Sequence, residues 1–310
     1  MRTFVNSQNI RLVGTLLVLV AFYFIGLKIG ANQLWLLEWQ PTPLLLFITI
    51  LGVILYGING FFLSTAWGWL LIWSGQPDIK LKRCHSIYGR TQIAKYIPGN
   101  IFHLAGRHLL GRQAGLGDLA LISASVYEIG GVILAAGIVG ISGMLFFNFS
   151  EMIFLPLPIA LILFMVIGLI FIFSLVMPKI AKWRGINLPI LNAKQIITGL
   201  APAYALYLIF FVMIGSILAL LIYTMTDLPI FSNLGMIISV FSIAWIAGFV
   251  TPGAPAGVGI REALLILSLT PILGESQSLI VAMIFRFISI LGDTLFFVIS
   301  TYGLSLSDID

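Results

Sequence analysis

Two arginines in this sequence follow a Pro-Gly pair at the same spacing. Arg107 lies nine residues after Pro98, and Arg261 lies nine residues after Pro252. A guanidinium presents a planar fork of donors that matches two oxygens of a phosphate or carboxylate. Since only 9% of the residues are charged, two arginines in matching surroundings indicate a site that binds an anion.

The second break, from Thr251 to Glu262, interrupts any helix because it contains two prolines and three glycines. Its glycines allow a phosphate to approach the backbone closely, and the helix that resumes points its positive end at the gap. Arg261 adds a full charge there. The predicted binding residues of this break are Pro252, Gly253, Gly257, Gly259, Arg261 and Glu262.

The first break repeats this logic with a polar stripe. Asn100, His103 and Arg107 recur at roughly helical spacing, so they share one face, and Arg112 follows them. All four are predicted to contact the anion. The imidazole of His103 either titrates near neutral pH in a functional role or is packed and neutral.

Three further charges lie inside long apolar stretches, where an ionised side chain is costly and indicates function. They are Glu128, Arg286 and Asp293, the last two spaced two helical turns apart. We include all three in the predicted site. Two interpretations remain open: a salt bridge between Glu128 and Arg286 that locks the two halves of the chain, or a carboxylate that couples proton or ammonium binding to movement of the ligand.

The elements that carry these residues are transmembrane helices. The chain has 310 residues, of which 60% are hydrophobic, and too little polar surface exists to cover a soluble domain. A crossing needs about 20 apolar residues. Six stretches qualify, and two more, 87–110 and 235–272, are broken by Pro-Gly into short halves, predicted as re-entrant hairpins. The six predicted crossings are 11–30, 43–73, 119–147, 155–177, 199–223 and 279–303.

The order of these elements predicts an inverted repeat. Three crossings separate the two breaks, so the second hairpin enters from the face opposite to the first. The fold class is therefore an all-α polytopic membrane protein with two repeats, 1–150 and 151–310, each of two helices, a hairpin and one helix. Rocking one such half against the other gives alternating access to a central site.

The distribution of basic residues predicts the orientation. Lysine and arginine cluster in the loops after the second and fourth crossings, including Lys80, Lys82, Arg83 and Lys95. Basic loops remain on the cytoplasmic side, so both termini are expected to be cytoplasmic in a cell (inner) membrane. The net charge of +5 then reflects contact with anionic inner-leaflet lipids rather than nucleic-acid binding.

The stretches Tyr96 to Arg112, Glu128 and Thr251 to Glu262 resemble the transmembrane flippase domain of lysylphosphatidylglycerol synthases and its stand-alone relatives. The resemblance spans nearly the whole chain. It implies movement of a polar-headgroup phospholipid or polyprenyl-linked glycolipid between leaflets, with Arg107, Glu128, Arg261, Glu262 and Arg286 lining the path. The full-length synthases continue into an aminoacyl-transfer domain that is not found before Asp310, so a separate biosynthetic enzyme is the expected partner.

Two alternative functions are a membrane scaffold in a lipid or glycan pathway and a lipid-linked glycosyltransferase. The residues favour neither catalysis nor a cofactor. One Asp-x-Asp occurs, at Asp308 and Asp310, while one cysteine and three histidines are scattered; such residues form no pattern for a metal site or a nucleophile. A transporter of a small soluble anion would also suit paired hairpins.

Overall fold

The computed structural model describes residues 40–97, 101–146, 193–226, 230–251 and 254–303, together with isolated helical residues 23, 26, 27 and 30. Within these ranges the chain is helical and has no β-strand. The α-helices of these ranges are α1 (Pro43–Trp73), α2 (Leu81–Gln92), α3 (Phe102–Gln113), α4 (Asp118–Phe146), α5 (Ala193–Tyr223), α6 (Ile230–Val250), α7 (Ile260–Leu273) and α8 (Glu275–Val298).

Six segments of the described chain are long and apolar enough to cross a bilayer, which confirms the class of an all-α multi-pass membrane protein. They are Pro43–Trp73, Asp118–Gly143, Gly199–Tyr223, Asn233–Val250, Pro255–Leu273 and Glu275–Gly303. Four of them match predicted crossings. The predicted crossings 11–30 and 155–177 lie outside the described residues, apart from the isolated positions in the first.

Exposed apolar side chains on α1 show how such a helix meets lipid. Phe47, Ile50, Ile54 and Ile58 are 43–63% exposed and recur every three or four residues, which places them on one helical face. The opposite face of α1 buries residues such as Tyr56 and Leu63 against the other helices. A stripe of exposed branched and aromatic side chains is stable in hydrocarbon and would be costly in water.

The first broken segment consists of α2, a 3-10 turn at Ile93–Tyr96, and α3. Each of the two helices has 12 residues and is therefore about 18 Å long, shorter than a hydrocarbon core of roughly 30 Å. These lengths agree with the short halves predicted from the sequence. Pro98, Gly99 and Asn100 lie outside the described residues.

The second broken segment differs from the predicted re-entrant hairpin with short halves, because both of its arms are among the six segments long and apolar enough to cross. Its first arm, α6, begins at Ile230 and has 21 residues, which gives about 31 Å, enough to cross. The helix includes Ser232 and Asn233, which precede the predicted start at residue 235. Pro252 and Gly253 themselves lie outside the described residues.

A tight backbone turn joins α6 to α7. A 3-10 turn spans Pro255–Gly257, with φ of 49° at Ala256, 71° at Gly257 and 84° at Gly259. A Cβ on Gly257 would stand 2.9 Å from the Cα of Gly248, so the turn packs backbone to backbone against α6. Positive φ together with this close approach requires glycine at position 257.

The helices of the two halves pack in matching pairs. Within the first half α1 contacts α2 and α4, α2 contacts α3, and α3 contacts α4. Within the second half α5 contacts α6 and α8, α6 contacts α7, and α7 contacts α8. Between the halves α1 packs on α5, while the contacts of α8 with α1 and α2 correspond to those of α4 with α5 and α6. Adding four to each helix number therefore converts one set of contacts into the other.

Small residues and backbone carbonyls close these interfaces. Gly131 of α4 faces the rings of Tyr204 and Tyr207, and a Cβ there would stand 2.4 Å from Tyr204. The Asn59 side chain donates to the Phe210 carbonyl at 3.2 Å across α1 and α5. Small residues let membrane helices approach closely, and hydrogen bonds between helices add to their association.

Candidate functional site

A central cavity lies where the two broken segments meet, and the 3-10 turns of the two segments contact each other there. Its volume is about 90 Å³, which is several times the roughly 10–15 Å³ needed to hold one water molecule. All eight helices of the described chain contribute to its lining. The charged lining residues are Lys95, Arg107, Glu128, Arg261, Arg286 and Asp293.

One part of the cavity is electrically balanced. Arg107 of α3 forms an ion pair with Glu128 of α4, and the Tyr88 hydroxyl donates to the other carboxylate oxygen of Glu128 at 2.7 Å. The Arg107 guanidinium also lies 3.6 Å from the centre of the Tyr88 ring and 5.5 Å from that of Trp67. With Arg107 only 1% exposed, this cluster is a buried, compensated pair with two cation–π contacts.

A second carboxylate joins the first broken segment to α8. The Lys95 ammonium lies 2.7 Å from the Asp293 carboxylate, and the Tyr96 hydroxyl donates to the same oxygen at 2.7 Å. Lys95 and Tyr96 belong to the 3-10 turn just before Pro98. Asp293 therefore holds the first break against the last helix.

The third carboxylate, Glu262, holds the start of α7. One of its oxygens accepts the Gly259 backbone N–H at 2.6 Å, and the other lies 3.4 Å from the Arg286 guanidinium. Arg286 also donates to the Ala256 carbonyl at 3.3 Å. Glu262 thus caps α7 and fixes Arg286 beside the tight turn.

Arg261 is the cation whose charge lacks this compensation. It is 9% exposed and lies 6.0 Å from the Trp245 ring centre, yet none of the described carboxylates forms an ion pair with it. Its Nε, the Nε of Arg107 and an Nη of Arg286 are buried donors without a hydrogen-bond partner within the described chain. Buried donors of this kind require acceptor oxygens, which water or a ligand in the cavity can supply.

A comparison of corresponding positions in the two halves shows why positive charge is in excess in the second half. Arg107 on α3 corresponds to Arg261 on α7. Counted from Asp118, Glu128 is the eleventh residue of α4, and counted from Glu275, Arg286 is the twelfth residue of α8. At nearly equivalent positions the first half carries a carboxylate and the second half carries another arginine.

His103 adds no charge to the cavity. It lies on α3, outside the six spans, and burial, followed by the nearby charges of Arg107 and Lys95, lowers the pKa of its imidazole to about 3. Its Nδ1 is buried without a partner in the described chain. The structure therefore favours the neutral form that the sequence left open.

The predicted site residues separate into four groups. His103, Arg107, Glu128, Arg261, Arg286 and Asp293 line the cavity, and Gly257, Gly259 and Glu262 form the turn and cap beside it. Asn100, Pro252 and Gly253 lie outside the described residues. Arg112 does not line the cavity, because it lies at the far end of α3, where its largely exposed side chain pairs with Asp118 at 3.1 Å.

Of the two interpretations that the sequence left open for Glu128, the bridge to Arg286 is wrong. Glu128 does not bridge to Arg286: it pairs with Arg107, while Arg286 pairs with Glu262. The sequence interpretation considered only charges inside crossings. The helices of the broken segments place Arg107 beside Glu128 and Glu262 beside Arg286, and so provide closer partners.

Sequence reasoning also missed residues of the cavity. Lys95 was grouped with the cytoplasmic basic loop, but its side chain is largely buried against Asp293. Tyr96, Tyr56 and Trp245 also line the cavity and surround the cations. The available signal was position, because Lys95 and Tyr96 immediately precede Pro98, at the break itself.

Within the described chain, no cluster of three or more His, Cys, Asp or Glu residues is suited to hold a metal ion. No family model matches the chain, and searches of curated proteins and of solved structures found no match. The class that fold and site define is thus a multi-pass helical membrane protein with a buried, cation-lined central cavity.

Proposed function

We propose that this protein is a lipid transporter that moves a polar-headgroup phospholipid or a polyprenyl-linked glycolipid between leaflets, with the anionic headgroup bound in the central cavity. The observation that carries the proposal is the buried guanidinium of Arg261, which has no carboxylate partner in the described chain and lines a cavity with Arg286 and Lys95. Buried charges are normally paired. A partner supplied by the ligand accounts for this exception.

Lipid is favoured over a small soluble anion by the rest of the lining. Side chains such as Leu63, Ile129, Val132 and Phe210 share the cavity with the cations. A mixed surface of this kind suits a phosphate attached to an apolar or glycosyl body. The resemblance of the two broken segments to lipid flippase domains supports the same choice.

The matched packing of the two halves supports a transport mechanism. Helices α1 to α4 and α5 to α8 make corresponding contacts, as two repeats related by a pseudo-twofold axis would. In transporters with inverted repeats the site lies between the repeats, and rocking one against the other exposes it to each side in turn. The bridge between Lys95 and Asp293, which joins the two halves, would then be a contact that rearranges.

The positions of the basic residues orient the proposed transporter in the membrane. Lys80, Lys82 and Arg83 lie at the α1–α2 junction and the start of α2, so this end is assigned to the cytoplasmic face of a cell membrane with both termini inside. Lys95 no longer contributes to this argument. Labelling of a cysteine at position 80 in a Cys84→Ser background, with a membrane-impermeant maleimide on intact cells, should fail until the cells are opened.

Leaflet exchange in proteoliposomes tests the function. Wild type, Arg261→Ala and Lys80→Ala are reconstituted with labelled phosphatidylglycerol, aminoacyl-phosphatidylglycerol or a polyprenyl-phosphate sugar. Lys80 is exposed, so its variant loses one cation without touching the cavity. We expect one lipid class to exchange in wild type and Lys80→Ala and to exchange at least tenfold more slowly in Arg261→Ala.

Two outcomes would reject the transporter. Equal exchange by all three proteins would show that Arg261 takes no part in it. No exchange of any lipid class by folded wild-type protein would favour the membrane scaffold instead. A scaffold should also tolerate Arg261→Ala.

A further inference from the structure

We propose that the cavity selects a headgroup with a single negative charge, as in a phosphodiester, over the doubly charged phosphomonoester. This inference rests on the proposed function and specifies the ligand of the same site. It follows from the charge balance of the side chains around the cavity. It also follows from the way those charges are already engaged.

The described side chains around the cavity carry one more positive charge than negative charges. The cations are Lys95, Arg107, Arg261 and Arg286, and the anions are Glu128, Asp293 and Glu262. Four positive and three negative charges give a net charge of +1. His103 is neutral and does not change the count.

Each carboxylate contacts particular partners, so the excess positive charge can be assigned to one residue. Glu128 is occupied by Arg107 and Tyr88, and Asp293 is occupied by Lys95 and Tyr96. Glu262 lies between Arg286 and the Gly259 N–H. The remaining charge belongs to Arg261, whose fork can bind two oxygens of one phosphate.

A buried site responds strongly to a mismatch of charge. Charges removed from water are stable only when neutralised by partners. A monoanion brings the cluster to zero, whereas a dianion leaves a buried excess of −1. The start of α3 adds only about half a charge, and that of α7 is already capped by Glu262.

The unpartnered donors fit the same ligand. An Nη of Arg286 and the Nε of Arg261 are buried without acceptors in the described chain. The two unesterified oxygens of a phosphodiester can accept from these donors, while its two ester substituents extend along apolar lining residues such as Phe210 and Phe296. A monoester has a third charged oxygen, for which the described lining offers no free cation.

The test compares dimethyl phosphate with methyl phosphate, which differ by one charge at pH 8. Phosphorus NMR titration of the purified protein in detergent gives both dissociation constants. We expect dimethyl phosphate to bind at least tenfold more tightly to wild type. Equal or tighter binding of methyl phosphate, or no binding of either ester by folded protein, would overturn the proposal.

A charge variant makes the test specific. Glu262→Gln keeps an acceptor for the Gly259 N–H but raises the site to +2, so the ratio of the two dissociation constants should shift at least tenfold toward methyl phosphate. Asp293→Asn makes the same change of charge on another helix and serves if Glu262→Gln does not fold. Glu275→Gln, an exposed carboxylate at the start of α8, should leave the ratio as in wild type.

An unchanged ratio in Glu262→Gln and Asp293→Asn would contradict the charge-matching argument. The proposed transport fails separately, in the leaflet assay. Charge-selective binding without lipid exchange would reject transport and keep the selectivity. Lipid exchange without charge selectivity would do the reverse.

Discussion

Neutralising Glu128 while keeping Arg107 is a perturbation whose cost follows directly from the structure. Arg107 is 1% exposed and its charge partner is Glu128, so Glu128→Gln leaves a guanidinium buried without compensation. Removing one member of a buried pair costs about 3–5 kcal/mol, and the Coulomb energy of a contact pair at an effective dielectric of 20 is about 4 kcal/mol. We expect a loss of about 3–5 kcal/mol in the free energy of unfolding.

The double variant tests whether this loss comes from the pair. Arg107→Gln should also cost about 3–5 kcal/mol, because it strands the carboxylate of Glu128. With both residues as glutamine, neither member of this pair carries a charge. The double variant should therefore be more stable than the sum of the single losses predicts, by at least about 2 kcal/mol.

Unfolding in mixed micelles, driven by sodium dodecyl sulfate and followed by circular dichroism, measures these differences. Asp78→Asn, which changes an exposed carboxylate in the loop before α2, is the control and should change stability by less than about 0.5 kcal/mol. Additive single effects would refute the reasoning. A Glu128→Gln protein of full stability that has lost transport would instead favour the role of Glu128 in proton or ammonium coupling.

Three further predictions concern other residues of the site. Arg261→Ala should leave stability unchanged or raise it by up to about 1 kcal/mol, because it removes an uncompensated buried charge; a loss above about 2 kcal/mol in the same unfolding assay would mark Arg261 as structural. Gly257→Ala should cost about 1–3 kcal/mol through its φ of 71° and the contact with Gly248, whereas Gly75→Ala, with φ of 99° and no atom within 4 Å, should cost less. A protonated His103 would strengthen anion binding as the pH falls through its pKa. Since that pKa is lowered to about 3, the affinity for dimethyl phosphate should not change between pH 5 and 8. A change in affinity near pH 6.5 that disappears in His103→Gln would contradict this.

Composition and spacing were sufficient for the class of fold and for most of the cavity. An apolar chain has to form helices in a bilayer because every backbone polar group must be satisfied within the segment. Proline and glycine in close succession then locate the breaks, since such a run does not sustain a regular helix, whereas a single proline such as Pro202 is accommodated within α5. The positions of Arg107 and Arg261 after those breaks, and of Glu128, Arg286 and Asp293 inside apolar runs, follow from the same local rules.

The pairing of the charges depends on long-range packing. Helical periodicity tells which side chains share a face of one helix, but it does not tell which face of another helix lies opposite. Glu128 meets Arg107 rather than Arg286 because α3 packs on α4. Lys95 reaches Asp293 because the 3-10 turn at Ile93–Tyr96 contacts α8, which is almost 200 residues further along the chain. The uncompensated charge of Arg261 therefore depends on the packed structure, since helix packing decides which cation lies nearest to each carboxylate.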